Sequence, residues 1–474
     1  MESFYTFQKE IHKLTASEQY ADTLSYFKKN KTTFSKEEIS GNQYLVADVL
    51  KCLRLTGAYE AAQKFMTIYR ILLNDSTPER ILNAWLLVLY DWYKSILTNN
   101  GGTKLNEEDD KKARIQQQQN QEKIVRQFIT LIPLLSKQTG EFAFDLYNLL
   151  VLKVLKSETK MTHINWRLIN DFCISVDPMK LKTSTQEVTF NNKGREKTSE
   201  LASVLETWYA QYSKSLFALG DYSACLKICQ DAFANITKMH YSNEIWFSRR
   251  IAQCLKMQGD IASAITKFEK IIVRKSDWFM LAELADLHSQ SGNKEKALLL
   301  MHQAMLQPGE LSYKVELLEK LGDLYTGSEN TQLKNNHYKL AIAIRQSAGW
   351  KVEPALYKKG DMLDNTDIAL EEKNILFRKL HGEWKSSVGE IEHNTVSSQS
   401  NDRLTGKIIS LSIPKEAGVD IRIKSTNGKQ YYAFIERNNP IYSKIKEGVT
   451  LSFEVKPLPD KKLDKAIKIR IQNQ

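Results

Sequence analysis

The sequence predicts a mainly α-helical protein, in which a superhelix of stacked helix pairs is followed by a small five-stranded β-barrel. Two observations predict this fold class. A glycine-centred pattern recurs through the middle of the chain at spacings of 39 and 33 residues. Over about the last seventy residues, helical periodicity gives way to short alternating apolar runs separated by turn residues.

Length and charge give the first division of the chain. At 474 residues the chain is too long for one hydrophobic core, and two to four domains are expected. The net charge is +11, and residues 401–474 hold 15 basic and 8 acidic residues, which is +7 of it. A module that binds polyanions would concentrate charge in this way, although a lysine-rich β-domain can also be merely soluble.

The five cysteines do not indicate a disulfide framework. Their number is odd and they are scattered through predicted helices, which is typical of a protein in a reducing compartment. Cys225 and Cys229 share a helix face without a second ligand pair, so we interpret them as packing residues and predict no metal site. No signal peptide and no membrane-spanning run are evident, and we expect a soluble, cytoplasmic protein without membrane contact.

The first half of the chain is predicted to be helical. Residues 1–98 form an N-terminal region of paired helices, with a tight turn at Gly57, and residues 99–205 form a helical region with a polar, Gln-rich insertion. The stretch from Glu107 to Gln121 is either an exposed loop or the polar start of a long helix. The polar stretch Thr183–Glu196 is predicted to be a loop.

A repeat can be recognised within residues 206–384. A glycine turn is followed after five residues by a small residue and after four more by a packing residue. The glycine would make the turn between two antiparallel helices, and the small residue would let them approach closely. The three copies are Gly220, Cys225 and Cys229; Gly259, Ala264 and Phe268; and Gly292, Ala297 and Met301.

This pattern resembles the tetratricopeptide repeat, whose period is about 34 residues. Degenerate copies fit at Leu321-Gly322-x-x-Tyr325 and at Gly57, Ala62, Met66 and Tyr69. The resemblance implies a superhelix whose concave surface holds a protein partner; the alternative is a solvated face with packing aromatics. The repeat register predicts these inward-facing groove residues: Lys214, Phe217, Trp246, Arg249, Gln253, Lys256, Phe279 and Asp286.

The end of the chain is predicted to contain three further parts. Residues 355–384 are capping helices of the superhelix, residues 385–402 are a flexible linker, and residues 403–474 are the β-barrel. The apolar runs that predict strands are Leu404–Ile413, Val419–Lys424, Gln430–Ile435, Val449–Val455 and Ala466–Ile471.

The order of these runs, with Lys446-Glu447-Gly448 before the fourth, resembles an OB-type, cold-shock-like domain. The resemblance implies single-stranded RNA or DNA binding by outward-facing aromatics, although Ser410, Asp420 and Arg422 stand where that family has aromatics or its Gly-Phe-rich motif. Tyr431, Ala433 and Ile435 are expected to point inward. The predicted nucleic-acid-binding residues are Arg422, Lys424, Lys429, Tyr432, Phe434, Lys468 and Arg470; the alternative is barrel packing or a protein contact.

Helical repeats with a terminal cold-shock-like domain also resemble the non-enzymatic partner proteins of TOTE-type bacterial conflict systems, which implies a role in handling invader nucleic acid. The sequence holds none of the common nucleotide-binding, metalloprotease or hydrolase motifs, and its histidines lack acidic or cysteine neighbours at ligand spacing. We therefore predict no catalytic residues and no cofactor. The hypothesis is a non-enzymatic adaptor that binds a protein partner and single-stranded nucleic acid; the alternative is a scaffold whose barrel contacts only protein.

Overall fold

The computed structural model describes residues 3–98, 107–192, 195–325, 327, 330–396, 403–412, 418–426, 428–437, 439–456 and 463–472. The chain divides into two compact units, 1–308 and 309–474. The division falls inside the region 206–384 that the sequence predicts as one superhelix. It follows Pro308, and Gly309 has a φ of 140°, which favours glycine.

The first unit is almost entirely helical. Its helices before the hairpin are α1 Phe4–Ala16, α2 Tyr20–Asn30, α3 Lys36–Gly41, α4 Gln43–Leu55, α5 Tyr59–Ile68, α6 Glu79–Thr98, α7 Glu107–Ser136, α8 Glu141–Glu158 and α9 Trp166–Ser175. After the strands β1 Gln186–Asn192 and β2 Arg195–Leu201 come α10 Val204–Ala218, α11 Tyr222–Asn235, α12 Asn243–Met257, α13 Ile261–Arg274, α14 Trp278–Gln290 and α15 Lys294–Leu306.

The last six of these helices form three antiparallel pairs, α10–α11, α12–α13 and α14–α15, which are tetratricopeptide-like repeats. The predicted glycine turns are confirmed, because Gly220, Gly259 and Gly292 have φ values of 81°, 85° and 84°. The residue after each glycine caps the second helix, since the side chains of Asp221, Asp260 and Asn293 accept a backbone N–H three residues on.

The predicted packing positions of the repeat are also confirmed. The small residues Cys225, Ala264 and Ala297 are fully buried, and the packing residues Cys229, Phe268 and Met301 are at most 1% exposed. A similar pair, α4–α5, turns at Gly57 with a φ of 70°. The small and packing residues of the repeat pattern therefore lie at helix–helix contacts.

The Gln-rich stretch is the polar start of α7. Gln121 is buried, and its amide donates a 2.7 Å hydrogen bond to the Glu158 carboxylate, which also accepts one from the Tyr93 hydroxyl.

The loop predicted for Thr183–Glu196 is wrong, because β1 and β2 pair there as an antiparallel hairpin. Its threonines are strand formers, and the hydroxyls of Thr189 and Thr198 lie 3.3 Å apart across the pair.

The second unit begins with α16 Val315–Leu324, α17 Thr331–Ser347, α18 Pro354–Lys359 and α19 Leu370–Val396. The pair α16–α17 is a fourth repeat-like hairpin, in which Gly322 lies directly against the ring of Tyr338. The linker predicted for 385–402 is wrong up to Val396, because α19 continues through it. Fully buried Trp384 anchors this helix and no proline interrupts it; residues 397–402 lie outside the described part.

The chain ends in a closed five-stranded barrel. Its strands are β3 Leu404–Leu411, β4 Gly418–Ser425, β5 Gln430–Glu436, β6 Thr450–Lys456 and β7 Asp464–Ile471. Their order around the barrel is β3-β4-β5-β7-β6, closed by pairing of β3 with β6. Tyr431, Ala433 and Ile435 are at most 3% exposed and point into the core, as predicted from strand alternation.

Candidate functional sites

A cavity of about 760 Å³ lies in the first unit, between the first helices of two consecutive repeats. α10 and α12 form most of its walls, and Lys156, Trp166 and Tyr241 close its edges. Five of the predicted groove residues line it: Lys214, Phe217, Trp246, Arg249 and Gln253. The first helix of each repeat therefore turns these side chains toward one open, mixed aromatic and basic surface.

The next repeat extends this surface through an aromatic stack. The rings of Trp246 and Phe279 lie 6.1 Å apart with their planes 9° from parallel, and both residues remain half-buried. Lys275 places its ammonium 4.8 Å from the centre of the Trp246 ring. Of the other predicted groove residues, Lys256 is half-buried but does not line the cavity, and Asp286 is on α14 with Phe279.

Arg249 lines the cavity as a neutralised cation. Its guanidinium forms two hydrogen bonds with the carboxylate of Glu283 on α14, one of them 2.8 Å long. Gln253 donates a further 2.8 Å hydrogen bond to the same carboxylate. The guanidinium also lies 5.1 Å from the ring centre of Phe279, so Arg249 ties two repeats together and contributes little net charge to the cavity.

Arg250 is the charged residue on α12 that lines the cavity but was not predicted from the sequence. It is 9% exposed, lines the cavity, and donates a 2.7 Å hydrogen bond to the Ser213 hydroxyl. Helical spacing from Phe247 to Cys254 places Arg250 on the buried face of α12, and a charged residue at such a position was the available signal.

A buried carboxylate shapes the rim of the cavity. Glu206 is fully buried and accepts hydrogen bonds from the backbone N–H of His240 at 2.6 Å and from the Asn243 amide at 2.8 Å, while its other oxygen lies 2.8 Å from the His240 ring. Between them, Tyr241 and Ser242 have φ values of 55° and 59°. Glu206 thereby holds a strained turn that places exposed Tyr241 at the cavity edge.

On the barrel, four of the predicted nucleic-acid-binding residues share one outer face: Arg422, Lys424, Tyr432 and Phe434. Arg422 pairs with Tyr432 across β4 and β5 and with Ser410 across β3 and β4, while Lys424 lies two residues along β4. Both cations are exposed and Tyr432 is half-buried. The Tyr432 hydroxyl donates to Asp420 at 2.9 Å, and this hydrogen bond raises the pKa of Tyr432. The face therefore presents two cations beside one fixed ring.

Phe434 is held against the start of β4. A Cβ on Gly418 would lie 2.9 Å from the tip of the Phe434 ring and 2.2 Å from the Ile435 carbonyl oxygen, and Gly418 has a φ of 152°. Only glycine fits there. The half-buried ring consequently covers Gly418 with part of its surface.

Two of the remaining predicted cations, Lys429 and Arg470, lie elsewhere on the barrel. Lys429 forms a 2.8 Å ion pair with Asp464, and this hydrogen bond raises the lysine pKa. Arg470 is exposed but pairs with Ser452 in the β6–β7 ladder, away from the β4–β5 face. The side chain of Lys468 lies outside the described part of the structure.

Three further features of the chain concern metal binding, thiols and membranes. In the part of the chain that the structure describes, no three His, Cys, Asp or Glu side chains have an arrangement that could hold a metal ion. All five cysteines are free and buried. None of the described helices combines the length and apolar character needed to cross a membrane.

No family model and no curated protein matches this chain. Solved structures similar to it include the APC/C hetero-tetramer Cut9-Hcn1, at 11% identity and a TM-score of 0.27, covering 84% of this chain and 92% of that one. Another is the C-terminal part of a TPR repeat-containing protein from Cytophaga hutchinsonii, at 11% identity and a TM-score of 0.25, covering 74% of this chain and 98% of that one. A third is yeast Tom70, at 12% identity and a TM-score of 0.24, covering 83% of this chain and 99% of that one. Likenesses this weak carry no argument, and the repeat class rests on the helix pairs themselves.

Proposed function

We propose that this protein is a non-enzymatic adaptor whose repeat groove binds a peptide segment of a protein partner. The observation that best supports this proposal is the open cavity of about 760 Å³ that continues into the Trp246–Phe279 stack. Half-buried aromatic rings beside hydrogen-bonding groups are the composition of protein-binding hot spots. The described residues offer no nucleophile paired with a general base in this cavity.

The geometry supports an extended or helical peptide better than a small metabolite. The cavity is partly open to solvent, and its rings come from more than one repeat. A small-molecule site would enclose most of its ligand. The ion pair of Arg249 with Glu283 keeps the aromatic surface in a fixed arrangement before any partner arrives.

A random-peptide library displayed on phage, panned against the intact chain, tests this function. We expect recovery of peptides that bind the wild type and lose affinity for Trp246→Ala. Phe233→Ala is the matched control, because Phe233 is a 41% exposed aromatic that lines a different cavity. Failure to recover peptides, or equal loss with both variants, would exclude the groove.

For the barrel we propose an OB-like module that binds single-stranded nucleic acid through the β4–β5 face. The closed strand order β3-β4-β5-β7-β6 supports this OB-like assignment, and strands two and three form the binding face of OB folds. The exposed cations Arg422 and Lys424 beside Tyr432 would contact phosphates and stack one base. Because Lys429 is paired with Asp464, we expect the affinity of the barrel for nucleic acid to be weak and sensitive to salt.

Fluorescence anisotropy of single-stranded DNA and RNA oligonucleotides with the intact chain, across a salt series, tests the barrel. Arg422→Glu should abolish binding at low salt, whereas Lys446→Glu, at an exposed turn before β6, should only weaken it slightly. Equal effects of the two variants would show that only bulk charge acts. Absence of binding by the wild type would favour the alternative, a scaffold whose barrel contacts protein. A role in bacterial conflict systems stays a prediction from the resemblance.

A further inference from the structure

Three cations that line the repeat cavity, Lys156, Lys214 and Arg250, form no ion pair with the described residues. Lys214 on α10 and Arg250 on α12 both line the cavity, and neither forms an ion pair with any described residue. Their neighbour Arg249 is paired with Glu283, so the uncompensated charge on the two repeat helices lies at Lys214 and Arg250, while Lys156 on α8 adds a third cation at the cavity edge. An unpaired cation that is largely removed from water, as Arg250 is, is costly, and proteins tend to keep one where a ligand supplies the counter-charge.

Arg250 is the more buried member of the pair. It is 9% exposed, its guanidinium lies 5.6 Å from the ring centre of Phe247, and its one protein hydrogen bond among the described residues goes to Ser213. A guanidinium carries five N–H donors, and Ser213 takes one of them. The cavity is the space in which the others can find an acceptor.

Lys214 adds a second positive charge at the same place. Its side chain is exposed at the cavity wall, yet the surrounding walls remove enough water to lower its pKa, and the nearby Arg250 charge lowers it further. The two like charges repel each other in this setting. A bound anion between Lys214 and Arg250 would offset both the loss of water around them and the repulsion between their charges.

Apolar walls lie beside these cations. Trp166, Phe217 and Trp246 form the neighbouring walls and would cover an apolar side chain.

We propose that Lys214 and Arg250 form an anion-binding floor that takes the carboxylate of an aspartate or glutamate side chain in the partner peptide, next to an apolar residue held by the aromatic walls. This inference rests on the proposed peptide-binding function and names the chemistry of its ligand. Arg250 and Lys214 determine the charge preference, and Arg249 does not, because Glu283 already neutralises it.

Panning with a random-peptide library displayed at the N-terminus of a phage coat protein tests the proposal, because this format has no free C-terminal carboxylate. With the intact wild-type chain, selected peptides should be enriched in Asp and Glu by at least about threefold over the library. With Lys214→Glu, acidic residues should fall below their library frequency and Lys or Arg should rise. Lys227→Glu, an exposed charge reversal on α11, is the control and should select as the wild type does.

The outcomes separate this inference from the proposed function. Recovery of peptides without acidic enrichment, or an unchanged preference with Lys214→Glu, overturns the anion floor while leaving the groove intact. Recovery of no peptides by the wild type overturns both. Arg250→Met is a second variant, and a folded protein that keeps the acidic preference with this change would also contradict the proposal. Its melting curve reports whether the chain is folded.

Discussion

Trp246 and Phe279 stack face to face, with ring centres 6.1 Å apart and planes 9° from parallel, although they belong to the first helices of consecutive repeats. The guanidinium of Arg249 lies 5.1 Å from the Phe279 ring and 6.0 Å from the Trp246 ring. The ion pair with Glu283 fixes this guanidinium in place. One rigid aromatic surface thus spans two repeats, and it is the surface on which we place the partner.

Replacing Trp246 with alanine should remove the larger ring of this surface. We expect peptide affinity to fall at least about tenfold, because tryptophans at the centre of interfaces are typical hot spots. Isothermal titration with a selected peptide measures the effect. Phe233→Ala should change affinity by less than about twofold, and a similar loss with both variants would argue against a specific role of the stack.

Glu206→Gln should destabilise the rim of the cavity. The buried carboxylate holds His240, Asn243 and the strained turn at Tyr241, and a neutral amide cannot accept all of these hydrogen bonds. We expect a loss of about 2–3 kcal/mol in the free energy of unfolding. Urea denaturation measures it. Glu283→Gln is the comparison, since its half-buried carboxylate should matter less, and a smaller loss for Glu206→Gln would contradict this role.

His337 should make the stability of the second unit depend on pH. It is fully buried, its Nδ1 lies 2.8 Å from the Leu333 carbonyl oxygen, and its Nε2 accepts a 3.0 Å hydrogen bond from the Trp384 indole N–H. Only neutral imidazole can do both, and burial lowers the pKa of His337 to about 4. The unfolded chain binds the proton first, so stability is full above pH 6.5 and is lost as pH falls toward 4.

The loss attributable to His337 should reach about 3 kcal/mol at the low end of that range. Urea denaturation of the intact chain at several pH values measures it, and His337→Gln should flatten the slope between pH 6.5 and 4.5. His163→Gln changes an exposed histidine and should leave the slope unchanged. Parallel slopes for wild type and His337→Gln would show that this histidine does not titrate as described.

Gly322→Ala should destabilise the α16–α17 hairpin. An added Cβ would lie 2.5 Å from the Tyr338 ring, which is itself held by a 2.6 Å hydrogen bond from its hydroxyl to Asp323. We expect a loss of about 1–3 kcal/mol from overpacking, measured by thermal unfolding. Gly382→Ala in α19 meets nothing within 4 Å and should stabilise by about 0.5–1 kcal/mol, because alanine favours a helix over glycine. Changes in stability of the same sign for Gly322→Ala and Gly382→Ala would contradict this prediction.

Sequence reasoning succeeded where one residue type has one physical use. Gly220 and its two counterparts were identifiable because a left-handed turn needs glycine, and Tyr431 because a strand alternates. It failed at the β1–β2 hairpin, whose polar composition hides its strand formers. The charge balance of the cavity could not be predicted either, because the pairing of Arg249 with Glu283 joins residues 34 positions apart and leaves Arg250 uncompensated.

A double charge reversal tests the central claim most directly. For a peptide selected by the wild type, affinity is measured by isothermal titration with Lys214→Glu, with the acidic peptide residue changed to lysine, and with both changes together. Each single change should weaken binding at least about fivefold, and the double change should restore most of it, since the two charges are proposed to meet. Additive losses in the double change would show that Lys214 does not contact the partner's acid.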